Sequence, residues 1–155
     1  MLKKYKYPLL LAGAVTLICG CMFLPNLLAH IPVTYGTDLK PEQFFFNMEF
    51  TNLMNQFFKK GTLPFYSWSM FLGTNFFASQ TFYIMGDPFT WASLLFQNLN
   101  FFDRTLLLEI GKFFISAFSM FYLLRTMKIS EKVSFFGGLC YAFSGWAIFF
   151  SGQLM

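Results

Sequence analysis

The chain has 155 residues, 56% of them hydrophobic and only 12% charged, with 25 Phe. Soluble domains carry about 25% charged residues, so there is too little polar material here to cover a water-facing surface. With a mean hydropathy of +0.53, the composition excludes a soluble globular enzyme, a disordered tail and a nucleic-acid binder, despite a net charge of +4. It is the composition of a membrane protein.

The first apolar run covers about residues 8–29 and contains no charge. About 20 apolar residues cross a hydrocarbon layer of roughly 30 Å, so this run is long enough to span. Its Ile18-Cys19-Gly20-Cys21 stretch has the form of a lipoprotein signal ending at Cys21. Apolar residues continue past that point through Met22, Phe23, Leu24, Leu27 and Leu28, which favours an uncleaved span. Within such spans Cys19, Cys21 and Cys140 read as small buried hydrophobes. With one His and no Cys/His cluster, neither a disulfide framework nor a zinc module is indicated.

Residues 31–104 form a long connection that is not an ordinary polar loop. Lys40-Pro41-Glu42-Gln43 has the form of a helix start with Pro in the first turn. Phe46, Phe50, Leu53, Met54 and Phe57 then recur at helical spacing, with Asn47, Glu49, Thr51, Asn52, Asn55 and Gln56 on the other face. This pattern predicts a helix lying in the membrane interface. Gly61-Thr62-Leu63-Pro64 breaks it, and aromatic residues including Trp68 follow, of the kind that gather at headgroup level. Asp87-Pro88 predicts a second interfacial helix over Phe89 to Phe96, with Asp87 as its cap.

A second span is expected over 105–124, capped by Asp103, and a third over 133–151. Glu109 and Lys112 are the only charges inside a span, and their i, i+3 spacing allows a pair on one face. Gly137, Gly138 and Gly145 suit close helix packing. Lys3, Lys4, Lys6, Arg125, Lys128 and Lys132 face a single acid, Glu131, at one end of the spans. At the other end Lys40, Lys59, Lys60 and Arg104 are set against Asp38, Glu42, Glu49, Asp87 and Asp103. The basic side is expected to be cytoplasmic, with 31–104 extracytoplasmic. The fold class expected is an all-α membrane protein with three transmembrane helices and interfacial helices in the first outer loop.

Tyr35-Gly36-Thr37-Asp38, Gly61-Thr62-Leu63-Pro64, Trp68, Gly73-Thr74-Asn75-Phe76-Phe77-Ala78, Asp87-Pro88-Phe89 and Phe143-Ser144-Gly145 occur in that order. In this the chain resembles the beginning of the YfhO family of bacterial membrane proteins, from about residue 8 onward. That family is similar to the C-type glycosyltransferases (GT-C fold), which use polyprenyl-phosphate sugars outside the membrane. The resemblance implies the N-terminal part of a longer polytopic enzyme that glycosylates a cell-envelope polymer such as lipoteichoic acid. Such a fragment would be inactive by itself. The alternative is a non-catalytic membrane scaffold or transporter subunit complete at 155 residues.

Glycosyl transfer needs a base for the acceptor hydroxyl and cationic or hydrogen-bonding groups for the departing phosphate. C-type enzymes place an acid soon after the first span, and by that resemblance Asp38 is the candidate catalytic base. The same carboxylate also suits a cap for the helix beginning near Pro41. Glu42 is a candidate second carboxylate, or simply a first-turn acid favoured by the helix dipole. His30, Lys40, Asp87 and Arg104 are candidate substrate-binding residues on the same side. For the two cations, snorkelling at the interface is an equally simple role. No cofactor is implied, no metal-ligand cluster occurs, and divalent-metal dependence is left open. The partners implied by the resemblance are a polyprenyl-phosphate-linked sugar, a polymer acceptor and membrane lipid.

Overall fold

A computed structural model describes residues 5–30, 40–61, 66–68, 73–75, 78, 86–96 and 98–150. The described residues are mainly helical, in the order α1 (Lys6–Ala29), α2 (Lys40–Lys60), α3 (Pro88–Ser93), a 3-10 turn (Leu94–Phe96), α4 (Phe101–Thr126), α5 (Glu131–Ala142) and α6 (Gly145–Phe150). A minimal antiparallel ladder joins β1 (Tyr66–Ser67) to β2 (Thr74–Asn75), pairing Tyr66 with Asn75 and Ser67 with Thr74. Periodicity missed this ladder because two residues per strand carry no alternation. Its local signal is Gly73 at φ +109, a backbone conformation that Gly adopts without steric cost.

Two helices, α1 and the Asp103–Thr126 part of α4, are long and apolar enough to cross a membrane. Both match the expected spans, because each carries about 20 apolar residues between polar ends. The third apolar run is helical but interrupted. α5 has 12 residues, which extend about 18 Å and fall short of the hydrocarbon thickness. Phe143 and Ser144 break the run, and the Ser144 Oγ accepts a hydrogen bond from the Ala147 N–H at 3.3 Å at the start of α6. Hydroxyl capping of this kind gives the chain a local alternative to continuing the helix.

The core lies where α1, α4 and α5 meet. Leu11, Val15, Cys19 and Phe23 form one buried stripe on α1 at four-residue steps, the spacing that keeps side chains on one helical face. They pack with Leu106, Phe113, Ala117 and Phe121 of α4. Phe113 sits between Phe23, with ring centroids 5.8 Å apart, and Phe143, stacked at 5.1 Å. On α5 the buried residues are Ser134, Gly138 and Ala142. This small-residue face lets two backbones approach closely, the usual means of helix association in lipid.

Of the three cysteines Cys19 is buried, whereas Cys21 and Cys140 are exposed, contrary to the expectation that all three are internal. Cys21 lies two positions from Cys19, on a different part of the helix surface. Of the glycines singled out, a Cβ on Gly138 would stand 2.8 Å from the Ala117 carbonyl oxygen, and one on Gly137 would meet the Leu124 side chain. Gly145 has open space around it and makes no close approach.

α4 and α5 are joined by a tight turn. Lys128 adopts a left-handed conformation at φ 62. The N–H of Ile129 donates to the Leu124 carbonyl at 3.1 Å, closing the end of α4. Arg125 caps the same turn by donating to the Ile129 carbonyl at 2.5 Å and pairs with Glu131 at 3.5 Å.

Candidate functional site

The polar groups of interest gather at one end of the two spans, where α1 ends and α4 begins. α1 closes on His30, held left-handed at φ 53 so that its N–H reaches the carbonyls of Asn26 and Leu27. The His30 Nδ1 lies 2.9 Å and 3.0 Å from the two carboxylate oxygens of Asp103. Asp103 was expected to cap the second span. Instead Asn100 occupies the N-cap and Asp103 sits in the first turn, facing His30. A first-turn acid still complements the helix dipole, so the local preference is kept while its oxygens reach another span.

One residue further on, Arg104 is buried, with 4% exposure. Its guanidinium Nη2 donates to the Thr51 Oγ1 of α2 at 3.3 Å. Arg104 is therefore not a snorkelling cation free to meet water, and Thr51, assigned by pattern to the polar face, is buried. Phe50, Leu53 and Met54 are buried beside it as the apolar stripe predicts. Phe50 meets Trp91 of α3 edge-on at 5.2 Å, an arrangement that aromatic quadrupoles favour.

Asp87 caps α3 as expected. Its Oδ1 accepts from the Phe89 N–H at 2.9 Å and its Oδ2 from the Thr90 hydroxyl at 3.4 Å. Pro88 takes the first helical position, where a missing N–H costs nothing. The same Oδ2 also lies 3.8 Å from the Lys112 Nζ, a contact between segments far apart in sequence that no local pattern shows. Lys112 pairs as expected with Glu109, at 3.4 Å, and stands 5.5 Å from the Phe89 ring centroid. Asp87 and Glu109 thus flank one ammonium group, and an aromatic face adds a cation–π contact. In an apolar span a charge persists when it is compensated in this way.

Of the sequence-predicted residues, the structure brings His30, Asp87 and Arg104 to this end of the bundle, each engaged with a side chain from another element. Lys40 and Glu42 lie in the first turn of α2, where only their backbone is described, and Asp38 lies outside the described residues. Thr51, Asp103 and Lys112 were missed as members of the cluster. For Lys112 a signal existed: Arg104, Leu108 and Lys112 recur every four residues and so share one face of α4. Among the described residues no three of His, Cys, Asp and Glu gather to hold a metal.

No curated protein and no solved structure gives a match to the chain. The model of the bacterial membrane protein YfhO family matches residues 42–155, which include α3, α4, α5 and nearly all of α2. With most of its length matched and two helices able to cross a membrane, the chain belongs to the YfhO family of bacterial membrane proteins.

Proposed function

We propose that this protein works as a membrane glycosyltransferase of the C-type, moving a sugar from a polyprenyl-phosphate donor to a cell-envelope polymer such as lipoteichoic acid. Membership of the YfhO family is the observation that carries this reading. In it, residues 31–104 face the outside of the cell and the basic N-terminus and the α4–α5 turn face the cytoplasm. The asymmetry of Lys and Arg in the sequence supports that orientation. α5 and α6 together form the third, interrupted crossing.

Asp38 acts in this scheme as the base that takes the proton from the acceptor hydroxyl, in the reach between α1 and α2. The hydroxyl oxygen attacks the sugar's anomeric carbon as its bond to the phosphate oxygen breaks, and the polyprenyl phosphate leaves with the electron pair. Glu42, His30, Lys40, Asp87 and Arg104 belong to the substrate-binding side. The nearness of His30, Asp103, Arg104 and Thr51 supports a polar floor at this level. The exposed aromatic residues Tyr66 and Trp68, whose rings meet edge-on at 4.8 Å, suit contact with an isoprenoid or lipid.

The reading is tested by deleting the gene and measuring sugar bound to purified envelope polymers by composition analysis. Loss of one sugar substituent, restored by the wild-type gene, is the expected result. An unchanged sugar content in the deletion strain would favour the alternative of a non-catalytic scaffold or transporter subunit.

A further inference from the structure

The connection between the two spans contains a feature that an interfacial loop does not require. Arg104 and Arg125 bracket the uninterrupted stretch 105–124 apart from Glu109 and Lys112, and 20 helical residues measure about 30 Å, the thickness of the hydrocarbon layer. One boundary of that layer is marked twice, because α1 ends at Ala29 and the adjoining His30 meets Asp103 at 2.9 Å. Lys112 is nine positions beyond Asp103, about 13 Å along the helix. Even with its side chain leaning back toward the helix N-terminus, its ammonium group stays below that boundary. The Asp87 carboxylate is 3.8 Å from it, and the Phe89 ring is 5.5 Å away.

A second length agrees with the first. α3 has six residues and the 3-10 turn three, together covering roughly 15 Å. Asn100 stands at the N-cap position of α4. Residues 87–96 therefore start at the level of Lys112 and climb beside α4 toward its N-terminus. Along α3 and the 3-10 turn the exposed side chains include Trp91, Leu95 and Phe96, Leu95 by 82%, and Leu99 is exposed beyond them; the exposed polar residues Asn98 and Asn100 stand at the upper end, next to the start of α4. Past the Asp87 cap, neither α3 nor the 3-10 turn contains a charged residue. α4 likewise exposes apolar residues, among them Leu107 and Ile115.

We propose that residues 87–96 form a re-entrant wedge inside one leaflet, with Trp91, Leu95 and Phe96 against lipid acyl chains and Lys112 holding the Asp87 end at depth. The wedge rests on the reading of α4 as a span. It places the ion cluster Asp87–Lys112–Glu109 under the membrane surface, shielded on its lipid side by an aromatic and aliphatic face. A helix lying flat in the interface would hold all its exposed residues at one depth, whereas a wedge grades them.

The experiment places a nitroxide at single cysteines in the chain reconstituted in phosphatidylcholine–phosphatidylglycerol vesicles, with Cys19, Cys21 and Cys140 replaced by Ala. Leu99→Cys, Leu95→Cys and Trp91→Cys are compared for collision with oxygen, which concentrates in lipid, and with a water-soluble nickel chelate. Ile115→Cys serves as the span control and Lys60→Cys as the aqueous one. The ratio of oxygen to nickel accessibility is expected to rise several-fold from 99 through 95 to 91, approaching that of position 115. Equal ratios at 99, 95 and 91, or values like that of position 60, overturn the wedge while leaving the span intact. An aqueous value at position 115 overturns the span, and the wedge with it. If Trp91→Cys does not fold, the comparison of 99 with 95 still decides the slope.

Discussion

Replacing Gly138 with Ala tests how closely α4 and α5 approach. The added methyl would stand 2.8 Å from the Ala117 carbonyl oxygen and 3.5 Å from the Phe121 Cβ. The first neighbour is backbone in the middle of a long helix, so the helices must separate by several tenths of an ångström. Separation loosens the contacts of Ala117, Phe121 and Ala142, all buried to within 3%. Overpacking of a close-packed site costs about 1–3 kcal/mol. Ala gains back about 0.5–1 kcal/mol over Gly in a helix interior, which leaves a net loss of roughly 1–2 kcal/mol. Gly137→Ala is the internal control. Its methyl meets only the end of the Leu124 side chain, which can change rotamer, so stability there is expected within about 0.5 kcal/mol of wild type. Unfolding of both variants in mixed micelles, followed by circular dichroism against the mole fraction of dodecyl sulfate, reads the difference. Gly138→Ala as stable as Gly137→Ala would refute the close approach.

Other substitutions probe the polar end of the bundle. Asp87→Ala removes both a helix cap and one partner of the Lys112 ammonium, and a loss of about 2–4 kcal/mol in the same assay is expected, with Asp87→Asn losing less because it keeps the cap. Lys112→Met leaves Asp87 and Glu109 facing one another as like charges; adding Asp87→Asn to it should recover part of the lost stability, and strict additivity would argue against the cluster. Lys128→Gly relieves a left-handed lysine and is expected to stabilise the α4–α5 turn by about 1 kcal/mol, read as a higher melting temperature. His30→Ala, at a pair whose histidine is 59% exposed, should cost no more than about 1 kcal/mol, since solvent screens such pairs.

The spans were legible in the sequence because hydrophobic length is a one-dimensional property: residues 8–29 and 105–124 correspond to α1 and to the central part of α4. Caps are also local, and Asp87-Pro88 and the Glu109–Lys112 pair stand as the pattern implies. The break at Phe143-Ser144 lay inside an apolar stretch, where hydropathy does not change and only the serine hydroxyl signals an end. Partners distant in sequence were not legible. Asp103 meets His30 73 positions away, and Arg104 meets Thr51 53 positions away; both look locally like ordinary first-turn or interfacial charges. The catalytic assignment to Asp38 rests on resemblance and lies outside the described residues, so it is decided by chemistry in the cell.

The most direct test of the proposed activity is the sugar content of the envelope polymer in a deletion strain complemented with Asp38→Asn at wild-type expression. Asn is nearly the same size but is not a base at neutral pH, so membrane insertion should persist while transfer stops. The account predicts sugar substitution at the level of the deletion strain, with membrane abundance unchanged. Full restoration of the sugar by Asp38→Asn would contradict the assignment of Asp38 as the acceptor-activating base.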